Sequence, residues 1–173
     1  MTTNQEQFNI RQALIDSAQS YFELLDYEVI LLSNDFALQN SYTLRFFKTN
    51  FLHLTGLKTH LSTEDFFLRC FEGTILESDY SLGPNKDRKT VKRKLKNLIN
   101  IDKLFKTEIM VQEMFMKNQV VCRIATSDGK CTVGFVDAKY YLRPVTILAN
   151  NHLDASKPIY NVVPIIKKVT RRI

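Results

Sequence analysis

The spacing of apolar positions changes along the chain, from a helical period near the start to a strand period in the last third. Residues 5–26 are predicted to form an amphipathic helix, because their apolar side chains recur every three or four positions. The runs YEVILLS (27–33) and SYTLRFFK (41–48) are short, rich in β-branched and aromatic residues and separated by turn-forming residues. They predict a β-hairpin.

The segment NFLHLTG, residues 50–56, allows two interpretations. In the first, Asn50 caps a short helical turn that ends at Gly56, because glycine tolerates the left-handed conformation of a helix end. In the second, the preceding strand continues, and Phe51 and His53 share one face. We favour the helical turn.

Two longer helices are predicted downstream. Residues 63–72 follow Ser62, whose spacing to Asp65 is close to that of a capping box, and they end before Gly73. After a loop, residues 86–106 are predicted to form an amphipathic helix with lysines and arginines on its outer face.

The last third is strand-like over four runs, which are TEIMVQEMF, VVCRIATS, KCTVGFVDA and YYLRPVTIL. Asp128-Gly129 between the second and third runs is typical of a two-residue hairpin loop. The resulting register pairs Ile124 with Val133, Cys122 with Phe135, and Arg123 with Gly134. A final strand, PIYNVVPII, contains two prolines, which favour an edge position.

These elements predict an α+β fold, with an N-terminal helix, an early hairpin, two further helices and an antiparallel sheet. The early hairpin is expected to join the same sheet or its edge. No repeat or linker divides the chain, so residues 1–173 are expected to form a single domain, with a basic tail over residues 167–173.

The formal charge of +6 is unevenly distributed. Residues 1–40 hold six acids and one base, a net charge of −5, whereas residues 86–106 hold nine bases and two acids, a net charge of +7. Such a dense basic face indicates a polyanion-binding surface, although many charged helix faces are simply solvated. The candidate nucleic-acid-binding residues are Arg88, Lys89, Lys92, Arg93 and Lys96.

Several classes of protein lack support in the sequence. The three cysteines are scattered and form no C-x-x-C pair, which favours a reducing, cytoplasmic location over a disulfide framework or a zinc site. No signal peptide or apolar span suited to a membrane is predicted. The phosphate-loop, dinucleotide, serine-hydrolase and zinc-protease motifs do not occur, so no cofactor is expected.

His53 is one of three histidines, the side chains best suited to proton transfer near neutral pH. It is either a structural residue of the turn or a catalytic base. The nearby Thr55 and Lys58 favour the second interpretation, because a histidine beside a cation suits metal-independent attack of an RNA 2′-hydroxyl on its own phosphodiester. Arg123, facing a glycine in the predicted register, is a further candidate for phosphate contact.

The run F-x-x-x-N-F-x-H-L-T-G-L, ending at Leu57, resembles the phage Barnase–EndoU–Colicin E5/D–RelE-like nucleases, in their fourth phage-associated subgroup. The resemblance implies a metal-independent ribonuclease fold that phages and other mobile elements use against RNA inside bacteria. It implies that His53 is an active-site residue, with Thr55 and Lys58 in the same motif. Ser156, Lys157 and Tyr160 match only by their position near the last strand. No glutamate partner for His53 is evident, which leaves the general acid unidentified.

The leading hypothesis is therefore an endoribonuclease whose partner is RNA. The main alternative is a non-catalytic nucleic-acid or protein-binding module of a mobile element, derived from a nuclease. A regulator that docks on a host protein through its acidic N-terminal helix is a third hypothesis. The sequence leaves open the RNA target, the oligomeric state and whether a cognate inhibitor protein exists.

Overall fold

Four α-helices pack against a curled eight-stranded sheet in the computed structural model, which describes residues 7–84 and 87–169. The helices are α1 (Ile10–Phe22), α2 (Lys48–Thr55), α3 (Thr63–Glu72) and α4 (Arg88–Leu98). The strands are β1 (Tyr27–Leu32), β2 (Ser41–Arg45), β3 (Leu57–Thr59), β4 (Tyr80–Leu82), β5 (Ile109–Lys117), β6 (Val120–Ser127), β7 (Cys131–Asp137), β8 (Leu142–Ala149), β9 (Tyr160–Val162) and β10 (Ile165–Lys168). None of the helices in these ranges is long and apolar enough to cross a membrane.

The large sheet has the strand order β10-β1-β2-β8-β7-β6-β5-β9, and β3 and β4 form a separate two-stranded sheet. The pairings of the large sheet are antiparallel except that of β2 with β8, which brings the early hairpin into the main sheet as predicted. β9 and β10 occupy opposite edges, yet only Val163 and Pro164 separate them along the chain. Because two residues span less than about 10 Å, the two edges must approach each other, which requires the sheet to curl.

The predicted final strand is thus two strands. Pro164 lacks the backbone N–H that a continuous ladder would need, and the chain changes partners at this point. β9 pairs with β5, and β10 pairs with β1, so both parts lie at an edge, as the prolines indicated.

The segment around the histidine motif is helical, so the alternative in which the strand continues is wrong. α2 follows Phe47, which is the N-cap residue. Asn50, predicted as the cap itself, lies instead in the first turn, where its side-chain carbonyl accepts a hydrogen bond from the Phe47 N–H at 3.2 Å. Gly56 ends the helix with φ of 75°, as predicted.

The basic helix is shorter than predicted. α4 ends at Leu98 and is followed by a 3₁₀ turn over Ile101–Lys103, so the predicted helix over 86–106 is wrong beyond residue 98. The Asn97 side chain donates to the Arg93 carbonyl at 2.7 Å, which is the kind of local bond by which asparagine disfavours helix continuation. Lys86 lies outside the described residues.

The predicted register of the β6–β7 hairpin is wrong by two residues. Ile124 lies opposite Phe135, Val133 lies opposite Thr126, and Gly134 lies opposite Ala125 rather than Arg123. The loop residues are Gly129 and Lys130, not Asp128 and Gly129. Gly129 takes the positive φ of 86°, and the Asp128 carboxylate accepts the N–H groups of Lys130 and Cys131, both at 2.9 Å.

Most apolar side chains form one core between the helices and the sheet, but the outer half of the β5–β6 hairpin belongs to a second, smaller core. Val111 lies in the main core and Phe115, four residues later, in the second, although an even spacing should keep both on one face. Met114 has φ of 54°, which reverses the side-chain alternation at this point. The hairpin end therefore turns its apolar face toward β8 and Leu153.

Candidate functional site

His53 lies in the last turn of α2 and is exposed to solvent. Phe51 and Leu54 of the same helix are fully buried, so the helical period places the imidazole on the outer side. α2 packs against α3, α4 and β8, which fixes the helix that carries the histidine. A water-accessible imidazole on a rigid element is suited to proton transfer.

Thr55 is fully buried, and its hydroxyl forms hydrogen bonds within the motif. The hydroxyl donates to the Leu52 carbonyl at 2.6 Å and accepts the N–H of Leu57 at 3.1 Å. These two bonds join the end of α2 to β3 across Gly56. The threonine therefore shapes the turn that follows His53.

Lys58 follows directly on β3 and is exposed. It lies opposite Ser81 of β4, and its alkyl chain passes about 3.6 Å from the position that a Cβ on Gly83 would occupy. Gly83 is buried beneath this side chain. The contact holds the Lys58 stem on the surface near the motif turn and leaves its ammonium group in solvent.

Arg123 lies in a different part of the molecule, beneath the loop that joins β1 and β2. Its guanidinium donates to the Gln39 side-chain carbonyl at 3.1 Å. The same loop is held by Glu113, whose carboxylate accepts the N–H groups of Ala37 at 2.7 Å and Leu38 at 3.0 Å. Arg123 and Glu113 thus bind neighbouring parts of one loop from two adjacent strands.

Tyr42 completes this group, because its hydroxyl donates to the Glu113 carboxylate. Burial, followed by the hydrogen bond to Glu113, raises the pKa of Tyr42 well above its ordinary value, and Arg123 opposes the shift. Tyr160 is near enough to contribute to the same shift, and its ring contacts Phe36 edge-on at 5.2 Å between centroids. A phenol with such a raised pKa donates hydrogen bonds but does not act as a base near neutral pH.

Ser156 and Lys157 lie in an exposed turn ahead of β9. The Ser156 hydroxyl donates to the Asp154 carboxylate at 2.6 Å, and the Lys157 N–H donates to the Asp154 carbonyl at 3.1 Å. The turn is anchored by the buried Gln112, which bonds both the N–H and the carbonyl of Asp154 at 2.8 Å. The Ser156 hydroxyl is therefore already engaged within the turn.

The predicted nucleic-acid-binding residues of α4 divide into two sets. Arg88 donates to the Phe8 carbonyl at 2.7 Å, and the Lys92 ammonium lies 5.6 Å from the centre of the Phe8 ring, so both support the segment before α1. Lys89, Arg93 and Lys96 are exposed. The basic face available to a polyanion is thus narrower than the sequence suggests.

The candidate catalytic residues consequently fall into three groups by their contacts. The first group is the motif turn with His53, Thr55 and Lys58, the second lies beneath the β1–β2 loop with Arg123 and Tyr160, and the third is the turn with Ser156 and Lys157. Within residues 7–84 and 87–169, no group of three or more histidine, cysteine or acidic side chains could hold a metal ion.

The group of Tyr42, Glu113 and Gln39 is not among the predicted site residues. The sequence does contain a signal for Glu113. It follows the buried Ile109 and Val111 at alternate positions of a predicted strand, so its side chain is expected on the same face. A charged residue at a core-facing position indicates a buried polar partner. No local pattern identifies Tyr42 as that partner, since the two residues are 71 positions apart.

Comparison with known protein families gives a match over most of the chain. A sequence model of a nuclease family matches residues 13–172 of the 173-residue chain, a range that includes the whole histidine motif. Searches of curated proteins and of solved structures find no match. A match over nearly the entire chain agrees with the resemblance carried by the run that ends at Leu57. The chain therefore belongs to the family described as phage-Barnase-EndoU-ColicinE5/D-RelE like nuclease4.

Proposed function

We propose that this protein is a metal-independent endoribonuclease that cleaves RNA through attack of a 2′-hydroxyl on the adjacent phosphodiester. Family membership supports a nuclease that acts on nucleic acid. The observation that carries the finer proposal is the solvent-exposed imidazole of His53, at the end of a helix whose other motif residues are fixed by packing and hydrogen bonds.

In the proposed reaction, His53 accepts the proton of the 2′-hydroxyl. The 2′-oxygen then forms a bond to phosphorus, the bond from phosphorus to the 5′-oxygen breaks, and a proton donor completes the departing 5′-hydroxyl. The products are a 2′,3′-cyclic phosphate and a 5′-hydroxyl. Lys58, whose ammonium group extends into solvent near the same turn, stabilises the charge that develops on the phosphate.

Thr55 has a positional role in this proposal, since its hydroxyl holds the turn between His53 and Lys58. The exposed side chains of Lys89, Arg93 and Lys96 contact RNA phosphates. Arg123, Ser156, Lys157 and Tyr160 remain predictions for the site, and Arg123→Gln and Lys157→Gln in the assay below test the two cations among them.

The reaction is tested with two labelled oligonucleotides, one entirely DNA and one with a single ribonucleotide in the same sequence. Both are incubated with the protein in excess chelator, and the products are identified by mass. We expect cleavage only after the ribonucleotide, with a cyclic phosphate on the product. General acid–base catalysis typically contributes about 10²–10⁴-fold, so His53→Ala should lower the rate by that order.

His60→Ala is the matched control, because His60 is also an exposed histidine, 3.8 Å from the Asp79 carboxylate. It should cleave at the wild-type rate. Equal loss in both variants, cleavage of the all-DNA strand, or a strict requirement for added metal would contradict the proposal. Binding without cleavage would instead support the alternative of a non-catalytic module derived from a nuclease.

The same proposal includes action in a reducing cytosol. Cys70, Cys122 and Cys131 are free and buried, which is consistent with a compartment that keeps thiols reduced.

A further inference from the structure

A cleft of about 360 Å³ lies between α4 and the tip of the β5–β6 hairpin. α4 contributes Thr90, Arg93 and Lys94, and the hairpin contributes Lys117, Asn118 and Val120. The floor is formed by residues 146–149 of β8 and by His152. Three elements that are distant in sequence thus bring basic side chains to one concave surface.

The charge of this cleft has one sign. Arg93, Lys94 and Lys117 are cations, and none of the residues that line the cleft is acidic. Among the described residues, no salt bridge involves Arg93 or Lys117. A concave surface of this kind raises the local concentration of anions.

The tip of the hairpin is built to hold Lys117 in place. Asn118 and Gln119 have φ of 49° and 68°, the left-handed pair that a tight two-residue turn requires, and Lys117 pairs with Val120 across it. Gln119 adopts this conformation less readily than glycine or asparagine would. The packing of Phe115 and Cys122 with Leu153 in the second core directs the whole hairpin end toward the cleft.

His152 is fixed in a comparable way. Its backbone N–H donates to the Thr132 hydroxyl oxygen at 3.0 Å, and the same hydroxyl donates to the Asn150 carbonyl at 2.7 Å. Asn150, at φ of 65°, turns the chain at the end of β8. The imidazole is half-exposed and lines the cleft opposite α4.

We propose that this cleft binds the phosphate backbone of single-stranded RNA, with Arg93 and Lys117 as opposing phosphate contacts and His152 as a hydrogen-bond donor between them. The inference rests on the proposed function only for the choice of RNA as the polyanion. The Thr146 hydroxyl is a further donor along the cleft, whereas the Thr90 hydroxyl is engaged within α4 by Asp87 and Arg93. Apart from the His152 imidazole, its floor of backbone, threonine and aliphatic side chains offers no aromatic ring for stacking, which suits contact with the backbone rather than recognition of a base.

The experiment measures binding of a labelled single-stranded RNA to the full chain carrying His53→Ala, across a series of salt concentrations. The cleft variant adds Arg93→Gln and Lys117→Gln. The control variant instead adds Lys103→Gln and Lys139→Gln, two exposed lysines outside this cleft, which change the net charge equally. Thermal unfolding of each variant verifies that it is folded.

We expect the cleft variant to lose at least tenfold in affinity at low salt and the control to lose less than threefold. Each phosphate contact to a single strand contributes about 0.7 to the slope of log K against log salt, so the slope should fall by about 1.4 in the cleft variant alone. Equal losses of affinity in both variants would overturn the proposal that RNA binds in this cleft, since only net charge would then determine affinity.

The His152 imidazole gives an independent readout by NMR. Its resonances should shift on addition of the RNA at concentrations where inorganic phosphate has no effect. Unchanged His152 resonances at saturating RNA would also overturn the proposal that RNA binds in this cleft. If RNA binds in the cleft but the wild-type protein cleaves nothing, the proposed function fails while this site stands.

Discussion

The Tyr42 hydroxyl donates a hydrogen bond to the Glu113 carboxylate, although the strands that carry them are separated in the sheet by β8, β7 and β6. A bond between side chains four strands apart requires that the sheet curl until its inner surfaces face each other. The β1–β2 loop is anchored to this curled sheet, because Glu113 binds its backbone and Arg123 binds Gln39.

Removal of this hydroxyl should destabilise the protein measurably. Tyr42 is 1% exposed, and hydrogen bonds to charged groups contribute about 1.5–3 kcal/mol. Tyr42→Phe should therefore lower the free energy of unfolding in urea by that amount. Tyr140→Phe is the control, because Tyr140 is 81% exposed, and it should change stability by less than about 0.5 kcal/mol. Equal effects of the two substitutions would exclude the proposed role of Tyr42.

The motif threonine makes a separate prediction about stability. Thr55→Val keeps the shape of the side chain but removes the donor to Leu52 and leaves the Leu57 N–H without its acceptor. The expected cost is about 1–3 kcal/mol, measured by chemical denaturation. Thr55→Ser retains the hydroxyl and should preserve RNA cleavage. A folded Thr55→Ser protein without activity would give the threonine a direct role that its burial argues against.

Close packing against both neighbouring strands requires glycine at position 134, beside an irregularity in the β7–β8 ladder. A Cβ at this position would lie 2.6 Å from the Cys122 sulfur and 2.9 Å from the Thr146 methyl carbon. Gly134→Ala should cost about 1–3 kcal/mol through overpacking. Cys122→Ala removes one of the two contacts, so in the double variant the alanine at 134 should cost less.

A matched glycine distinguishes overpacking from backbone strain. Gly129 has φ of 86°, and a Cβ added there would meet nothing within 4 Å, so Gly129→Ala should be destabilising through strain alone. Its cost should add to that of Cys122→Ala without coupling. Coupling at Gly129, or none at Gly134, would contradict the proposed contact.

The three thiols predict how stability depends on alkaline pH. Burial raises the pKa of Cys70 and Cys131 to about 12 and that of Cys122 to about 11. In the unfolded chain these thiols ionise near pH 8.5. Between about pH 9 and 11 the unfolded state therefore holds fewer protons than the folded state, and stability falls as pH rises.

We expect the free energy of unfolding in urea to decrease by about 1 kcal/mol or more per pH unit in this window. Below about pH 8 the thiols are protonated in both states and should contribute no slope. In the folded protein at pH 8, an aromatic disulfide reagent should react slowly with all three thiols, and quickly once the chain is unfolded. A fast-reacting thiol in the native protein would contradict the burial.

The helices and strands were largely predictable because each has a local signal. Ser62 and Gly73 bound α3 as expected, and the alternation of apolar residues locates β5 to β8. The register of the β6–β7 hairpin was not predictable, because the two loop residues could be Asp128 and Gly129 or Gly129 and Lys130. The choice depends on which loop position takes the positive φ of Gly129. Here the Asp128 carboxylate stabilises a loop displaced by one residue.

The candidate site residues could be proposed from the sequence only where they are close together in the chain. His53, Thr55 and Lys58 lie at the end of α2 and in the short strand β3, so a local motif could propose them as one group. Tyr42 and Glu113 meet only through the curl of the sheet. Lys117 faces the cleft only because the positive φ of Met114 reverses the side-chain alternation along β5. Contacts of this kind between residues far apart in sequence leave no pattern in a short stretch of the chain.

The short link at Val163 and Pro164 has a consequence for how the chain folds. β9 and β10 cover both edges of the sheet, and they are translated after all the strands that they cover. A nascent chain that lacks them carries two open ladders of backbone groups, on β1 and β5, that can pair with other chains. Closure of the sheet is thus a late step between distant segments, so slow refolding and aggregation at high protein concentration are expected.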